Sequence, residues 1–309
     1  MTSLSTHYNY IVDRFHSLGQ CLILGPVRKA IPRGGVMEPL LIKEKYEEVL
    51  ILTLNRPDLY NALSSELLRE LRDSIIDGGR DGDVGVIVIT GRGKAFCSGG
   101  DLEEMCALAE GTYEERKTFL ELFLSMIDAI RGISRPVIAA VNGYCIGGGN
   151  EINIACDLAV ASEGAKFGQA GPKVGSAPLL GGTQLLPLII GERRAKEMVY
   201  LCRPITAHQA LEWGLVNRVV PPERLREEAL ALAKEILDKS PSALSAARES
   251  HNVFYRMLRP SMEEGVEFLA QFWGTDEAKE GLRAFKEKRS PNFNKFRVQR
   301  KNTICFFDP

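Results

Sequence analysis

The chain has 309 residues, 45% hydrophobic and 26% charged, an ordinary globular composition that excludes a collagen-like, low-complexity or wholly disordered protein. Its 39 Lys and Arg against 40 Asp and Glu leave a net charge of -1, so no surplus points to nucleic acid or an anionic membrane surface. No apolar run reaches the roughly 18 residues of a membrane helix, and the seven cysteines contain no CxxC pair. The four histidines share no ligand spacing with each other or with the cysteines, so free thiols in a reducing cytoplasm are expected, without a metal site.

Residues 1–36 carry no useful periodicity, and a regular pattern begins only at Met37. They read as an N-terminal extension, expected to be a start-site overcall with Met37 as the native start; an appended tail or targeting segment is the other reading. Leu40 to Leu54 is strand-like, two strands with a turn near Lys45, and in the second Leu50, Leu52 and Leu54 share one face. Ser64 is placed to cap a helix over 65–77, with Leu67, Leu68 and Leu71 on one side. Val84–Thr90 is a short continuous apolar run, as in a strand buried on both faces. A Gly-rich loop follows, then helices near 101–108 and 114–131. Pro136–Val141 repeats the buried-strand pattern, a second Gly-rich loop spans 143–149, and a helix begins near Asn150. Short strands are expected at 157–161 and 166–167, helices at 179–190 and 192–201, and an almost purely helical pattern from Thr206 to Lys288. Strands alternating with helices and then giving way to them predict an α/β body with parallel pairing and a helical C-terminal layer.

The unit of strand, Gly-rich loop and helix occurs twice, at 84–108 and 137–155. Glycines let a ligand approach the backbone, and a helix N-terminus aims unpaired N–H groups and a positive dipole end outward. Two such groups converging on one point hold a developing oxyanion. Either loop alone is equally a tight turn. Neither matches a phosphate-binding P-loop or GxGxxG, and Gly-x-Ser-x-Gly is absent.

Together these stretches resemble the enoyl-CoA hydratase/isomerase family, the crotonase superfamily. The motifs are LTLNRPDLYNAL (52–63), AFCSGGDLEEM (95–105), RPVIAAVNGYCIGGGNEI (135–152), ACDLAVASEGAKFGQ (155–169), GGTQLLPLIIG (181–191), ITAHQALEWGLVNRVVP (205–221) and EGLRAFKEKRSPNF (280–293). The resemblance implies a crotonase-like α/β spiral of ββα units over 37–205, a C-terminal helical trimerisation region over 206–293, and a tail from 294. It implies a homotrimer or homohexamer and an acyl-CoA substrate, coenzyme A arriving as the acyl thioester with no separate cofactor. By matching position, the N–H groups of Gly100 and Gly148 form the oxyanion hole, and Glu151 is the acid/base. The backbone around Ala62 and Ala95 would line the adenine pocket. Lys286, Lys288, Arg289, Arg56 and Lys94 would meet CoA phosphates or simply face solvent.

The pattern departs at the second hydratase glutamate, where Gly171 stands. Two carboxylates let one activate water while the other protonates carbon; one alone must do both. GQAGPKVGS (168–176) is similar to the dihydroxynaphthoyl-CoA synthases and to the hydrolases that open oxocyclohexene-carbonyl-CoA rings. Pro178 and Trp273 replace an Asp and a Tyr of the synthases. Ser176 would bond a substrate oxygen or cap the next helix, Asp101 would cap a helix, and Glu121 would replace the missing acid or face solvent. The expected reaction is hydration of a 2-enoyl-CoA, cyclic or branched acyl groups included. The ring-opening hydrolase, the synthase and a catalytically silent CoA-binding protein are the alternatives.

Overall fold

The computed structural model describes residues 38–297. The extension expected over 1–36 and the tail beyond 297 lie outside the described residues. In chain order the elements are β1 (Leu41–Tyr46), β2 (Val49–Leu54), α1 (Ser65–Arg80), β3 (Val86–Gly91), β4 (Ala95–Cys97), α2 (Leu102–Glu110), α3 (Tyr113–Gly132), β5 (Val137–Val141), β6 (Tyr144–Ile146), α4 (Gly148–Ala155), β7 (Leu158–Ser162) and β8 (Lys166–Gly168). Then come α5 (Leu186–Ile190), α6 (Glu192–Leu201), β9 (Ile205–Thr206), α7 (Ala207–Trp213), β10 (Arg218–Val220), α8 (Leu225–Leu237), α9 (Pro241–His251), α10 (Val253–Phe272), α11 (Asp276–Lys286) and α12 (Asn294–Arg297).

A six-stranded sheet runs in the order β1-β2-β3-β5-β7-β10. All its pairings are parallel except the β1–β2 hairpin, whose turn falls at Glu47 and Glu48, with Glu47 at φ +51°, rather than near Lys45. Both faces are covered, which is why β3 and β5 read as unbroken apolar runs. Val49, Ile51, Val86, Val88 and Ile138 face Leu225, Ala229, Leu232 and Ala233 of α8. Leu52, Leu54, Ile87, Ile89 and Val137 face the larger core with Leu67, Leu68 and Leu71 of α1 and Ile127 and Ile130 of α3. The Ser64 hydroxyl caps α1 as expected, accepting from the Leu67 N–H. A capping box of Thr112 and Glu115 starts α3.

A second sheet, β4-β6-β8-β9, positions the site. Its first three strands are parallel neighbours, with Cys97 beside Cys145 and Ile146 beside Gly168. Each has only three residues inside a glycine-rich stretch, too short to show a period. The helix expected over 179–190 forms only at Leu186–Ile190. Pro178, Gly181 at φ +129° and Gly182 keep the preceding segment in turns. The region after Thr206 is not purely helical, because Arg218–Val220 joins the large sheet beside β7. Among the described residues no helix is long and apolar enough to cross a membrane.

Candidate active site

The parallel strands β4, β6 and β8 end on the same side, the usual place for a ligand in α/β sheets. After β4 comes Ser98-Gly99-Gly100, after β6 Gly147-Gly148, and after β8 Gln169-Ala170-Gly171. The Gly147 N–H donates to the Gly168 carbonyl at 2.9 Å, tying the β6 and β8 ends together. Gly99, at φ +99°, brings the β4 end against the same point: a Cβ there would lie 3.5 Å from the Gly148 nitrogen. Gly149 makes a closer contact still. A Cβ on it would stand 2.2 Å from the Cys97 carbonyl oxygen, so the first turn of α4 rests directly on the end of β4.

This packing leaves two N–H groups available. Gly148 opens α4, so its N–H has no partner within the helix. Gly100 precedes Asp101, the N-cap of α2, whose carboxylate accepts from Glu103 and Glu104 N–H at 3.0 and 3.2 Å. Among the described residues neither the Gly100 nor the Gly148 N–H meets a backbone acceptor. Leu63, an isolated bridge partner, fixes Gly100 from the side: the Leu63 N–H donates to the Gly99 carbonyl at 2.8 Å, and the Asp101 N–H to the Leu63 carbonyl at 3.0 Å. Leu63 and Phe123 also crowd Gly148, each within 3.1 Å of where its Cβ would be.

Glu151 lies in the same first turn of α4, three residues after Gly148, and is 7% exposed. Burial pushes its carboxyl up to about 7, against the opposing pull of N–H groups from Gly182 and Leu180. The Gly182 N–H reaches Oε1 at 3.2 Å. A carboxyl poised near neutrality, one helical turn from a free amide donor, is equipped for proton transfer.

Gly171 begins a short 3-10 turn, Gly171–Val174. A Cβ there would meet Ala177 Cα at 3.0 Å and Ala177 N at 3.1 Å, so a second glutamate would press on the Ala177 backbone. Ser176 does not cap a helix; its Oγ accepts from the Trp273 indole N–H at 2.9 Å, and its own N–H donates to the Gly171 carbonyl at 2.8 Å. Gln169, 1% exposed, has both amide atoms without a partner and lies against Gly182.

The remaining candidates sit as follows. Ala62 and Ala95 are buried, and their carbonyls are taken: Ala62 by Arg56 Nη1 at 2.5 Å, Ala95 by Asn61 and Asn142 at 2.7 and 3.1 Å. Arg56 faces inward and pairs with Asp101 at 2.7 Å. Lys286 is exposed and pairs with Glu103 at 2.8 Å, joining α11 to α2. Arg289 holds Glu280 at 2.6 and 3.0 Å, while Lys288 and Lys94 are exposed. Glu121 is exposed on α3, whereas Phe123 of that helix reaches Gly148. Asn61, which no motif argument singled out, is fully buried and binds Arg56 N–H, Arg92 O and Ala95 O at 2.9, 3.0 and 2.7 Å. Among the described residues no three His, Cys, Asp or Glu side chains gather to hold a metal ion.

The chain belongs to the enoyl-CoA hydratase/isomerase family, whose model matches residues 44–297. It is similar to an enoyl-CoA hydratase of Bacillus anthracis, at 35% identity and TM-score 0.66, over 82% of this chain and 98% of that one. The enoyl-CoA hydratase of Mycobacterium avium subsp. paratuberculosis K-10 matches at 28% identity and TM-score 0.74, again over 82% and 98%. That of Bacillus halodurans matches at 26% and 0.75, over 80% of this chain and all of that one. The mixed α/β crotonase architecture expected from the motifs is therefore that of the molecule, and the protein is an acyl-CoA enzyme of this family.

Proposed function

We propose that the protein hydrates a 2-enoyl-CoA, using the Gly100 and Gly148 N–H groups as oxyanion donors and Glu151 as the single acid/base. The observation that carries this is the first turn of α4, which holds a free amide donor and a buried carboxyl raised to about 7 three residues apart. Ionised Glu151 takes a proton from water as the water oxygen bonds to C3. The C2=C3 electrons move toward the thioester, and the charge gathers on its oxygen between the two N–H groups. Protonated Glu151 then returns the proton to C2 on the same face, and the enolate collapses to the 3-hydroxyacyl thioester. The donors act where charge develops, so they stabilise the transition state more than the substrate. No second carboxylate is needed, because the one group begins and ends the cycle ionised.

Coenzyme A enters only as part of the substrate in this reading. Assembly into a trimer or hexamer is supported by large apolar side chains left exposed in two places. Leu188, Ile189, Tyr200 and Leu201 lie on α5 and α6, and Val253, Phe254 and Met257 on the start of α10. Loss of the enone absorbance of crotonyl-CoA and cyclohex-1-ene-carbonyl-CoA tests the reaction, with Glu151→Gln as control. Turnover abolished in the variant is expected. CoA binding without turnover of any enoyl thioester would refute it, and an open-chain dicarboxyl product from 6-oxocyclohex-1-ene-carbonyl-CoA would replace it with ring hydrolysis.

A further inference from the structure

We propose that Arg56 is a positioning residue that sets the orientation of the Gly100 oxyanion donor. The guanidinium is 15% exposed at the side chain and bridges two backbone segments that meet beside Gly100. Nη1 donates to the Ala62 carbonyl at 2.5 Å, and Nη2 to Asp101 Oδ2 at 2.7 Å. Ala62 adjoins Leu63 and Asp101 adjoins Gly100, and these two neighbours form the parallel bridge Leu63↔Gly100. The bridge is closed by Leu63 N–H to Gly99 O at 2.8 Å and Asp101 N–H to Leu63 O at 3.0 Å. Arg56 thus closes a frame around the Gly100 peptide: one arm on Ala62, which precedes the bridging Leu63, and one on Asp101, which follows Gly100.

The frame is itself held from behind. Asn61 accepts from the Arg56 N–H at 2.9 Å and donates to Ala95 O of β4 at 2.7 Å, which anchors the arginine's backbone to the strand that carries Gly100. Asp101 faces both ways, capping α2 through Oδ1 and pairing with Arg56 through Oδ2. A planar guanidinium suits this, because it presents two N–H groups at a fixed spread to two acceptors at once; a lysine offers one point charge. The Gly148 donor is held differently, by its place at the start of α4 and by the Gly147 N–H bond to the Gly168 carbonyl. The pair Arg56–Asp101 therefore acts through the backbone on the reacting carbonyl and does not touch it.

This inference rests on the reading of Gly100 as an oxyanion donor. The test uses the full-length protein and [1-13C]butyryl-CoA, which has no double bond to hydrate, and reads the thioester carbonyl stretch by infrared difference spectroscopy. It is paired with kcat and KM on crotonyl-CoA. In the wild type the bound carbonyl band moves to lower frequency. Arg56→Met and Asp101→Asn, the latter keeping the helix cap, should each lose much of that shift and lower kcat about 10- to 100-fold, with KM changed less than about threefold. Arg56→Lys should fall between. If Arg56→Met does not fold, Asp101→Asn carries the test alone. A wild-type shift retained in both variants overturns the proposal while leaving the hydratase reading intact. No shift in the wild type overturns both.

Discussion

Glu151→Gln should make the protein's stability less dependent on pH, and the size follows from burial. The carboxyl is raised from 4.5 to about 7 because its charged form loses solvation. Between those values the native state holds a proton that the unfolded chain releases, so stability falls as pH rises, and the full loss is reached above about 7. A difference of about 2.5 units corresponds to about 3 kcal/mol, of which roughly 2.5 kcal/mol lies between about pH 5 and about pH 8. Glutamine does not titrate there. It keeps an oxygen for the Gly182 N–H and turns an amide nitrogen toward the Leu180 N–H, a loss that is independent of pH. Urea unfolding at fixed protein concentration, followed by the fluorescence of Trp213 and Trp273, measures both proteins at the two pH values. The variant's stability relative to wild type should rise by about 2 to 3 kcal/mol from the lower pH to the higher. Parallel pH dependences would show that Glu151 titrates as an ordinary carboxylate, and with that the argument for its burial and its role would fail.

The pH profile of kcat/KM for hydration should rise through about 7, falling tenfold per unit below it, since the ionised base starts the reaction. Gly171→Glu should not add a second catalytic carboxylate: its Cβ meets the Ala177 backbone at 3.0 and 3.1 Å, so a loss of about 1 to 3 kcal/mol in thermal or urea unfolding and no gain in turnover are expected. Cys97, Cys145 and Cys156 are buried and their thiols raised, Cys97 to about 12, so a native-state pulse of iodoacetamide read by peptide mass spectrometry should leave all three unlabelled. Cys106 and Cys202, partly exposed, should label ahead of them.

Much of the fold was legible because it is written in local periodicity. The Ser64 cap, the alternating faces of 49–54 and the apolar strands expected at 84–90 and 136–141 each follow from one stretch of chain; the cap and faces form as expected, and the strands form at Val86–Gly91 and Val137–Val141. What failed was of two kinds. Strands of three residues, such as Tyr144–Ile146, carry no period and are made by their neighbours. The segment at 178–185 is apolar enough for a helix but is turned by Gly181 and Gly182. Arg56 shows the limit for side chains. Nothing around it in sequence points to Asp101, 45 positions away, and local sequence equally allows a cation for phosphate or one facing solvent.

By itself, then, the sequence determined the α/β class, the family and the two glycine loops that open onto helices. Those depend on residue type at short range, where backbone sterics and side-chain period act. Only the tertiary structure decided that β4 and β6 lie side by side, so that Gly99 packs against the Gly148 nitrogen, and that Glu151 is buried in the first turn of α4 with a carboxyl raised to about 7. Solvent exclusion shifts that carboxyl, and exclusion is a property of every chain segment packed around it. A glutamate in a helix's first turn is an ordinary capping charge when water reaches it and a base near neutrality when water does not.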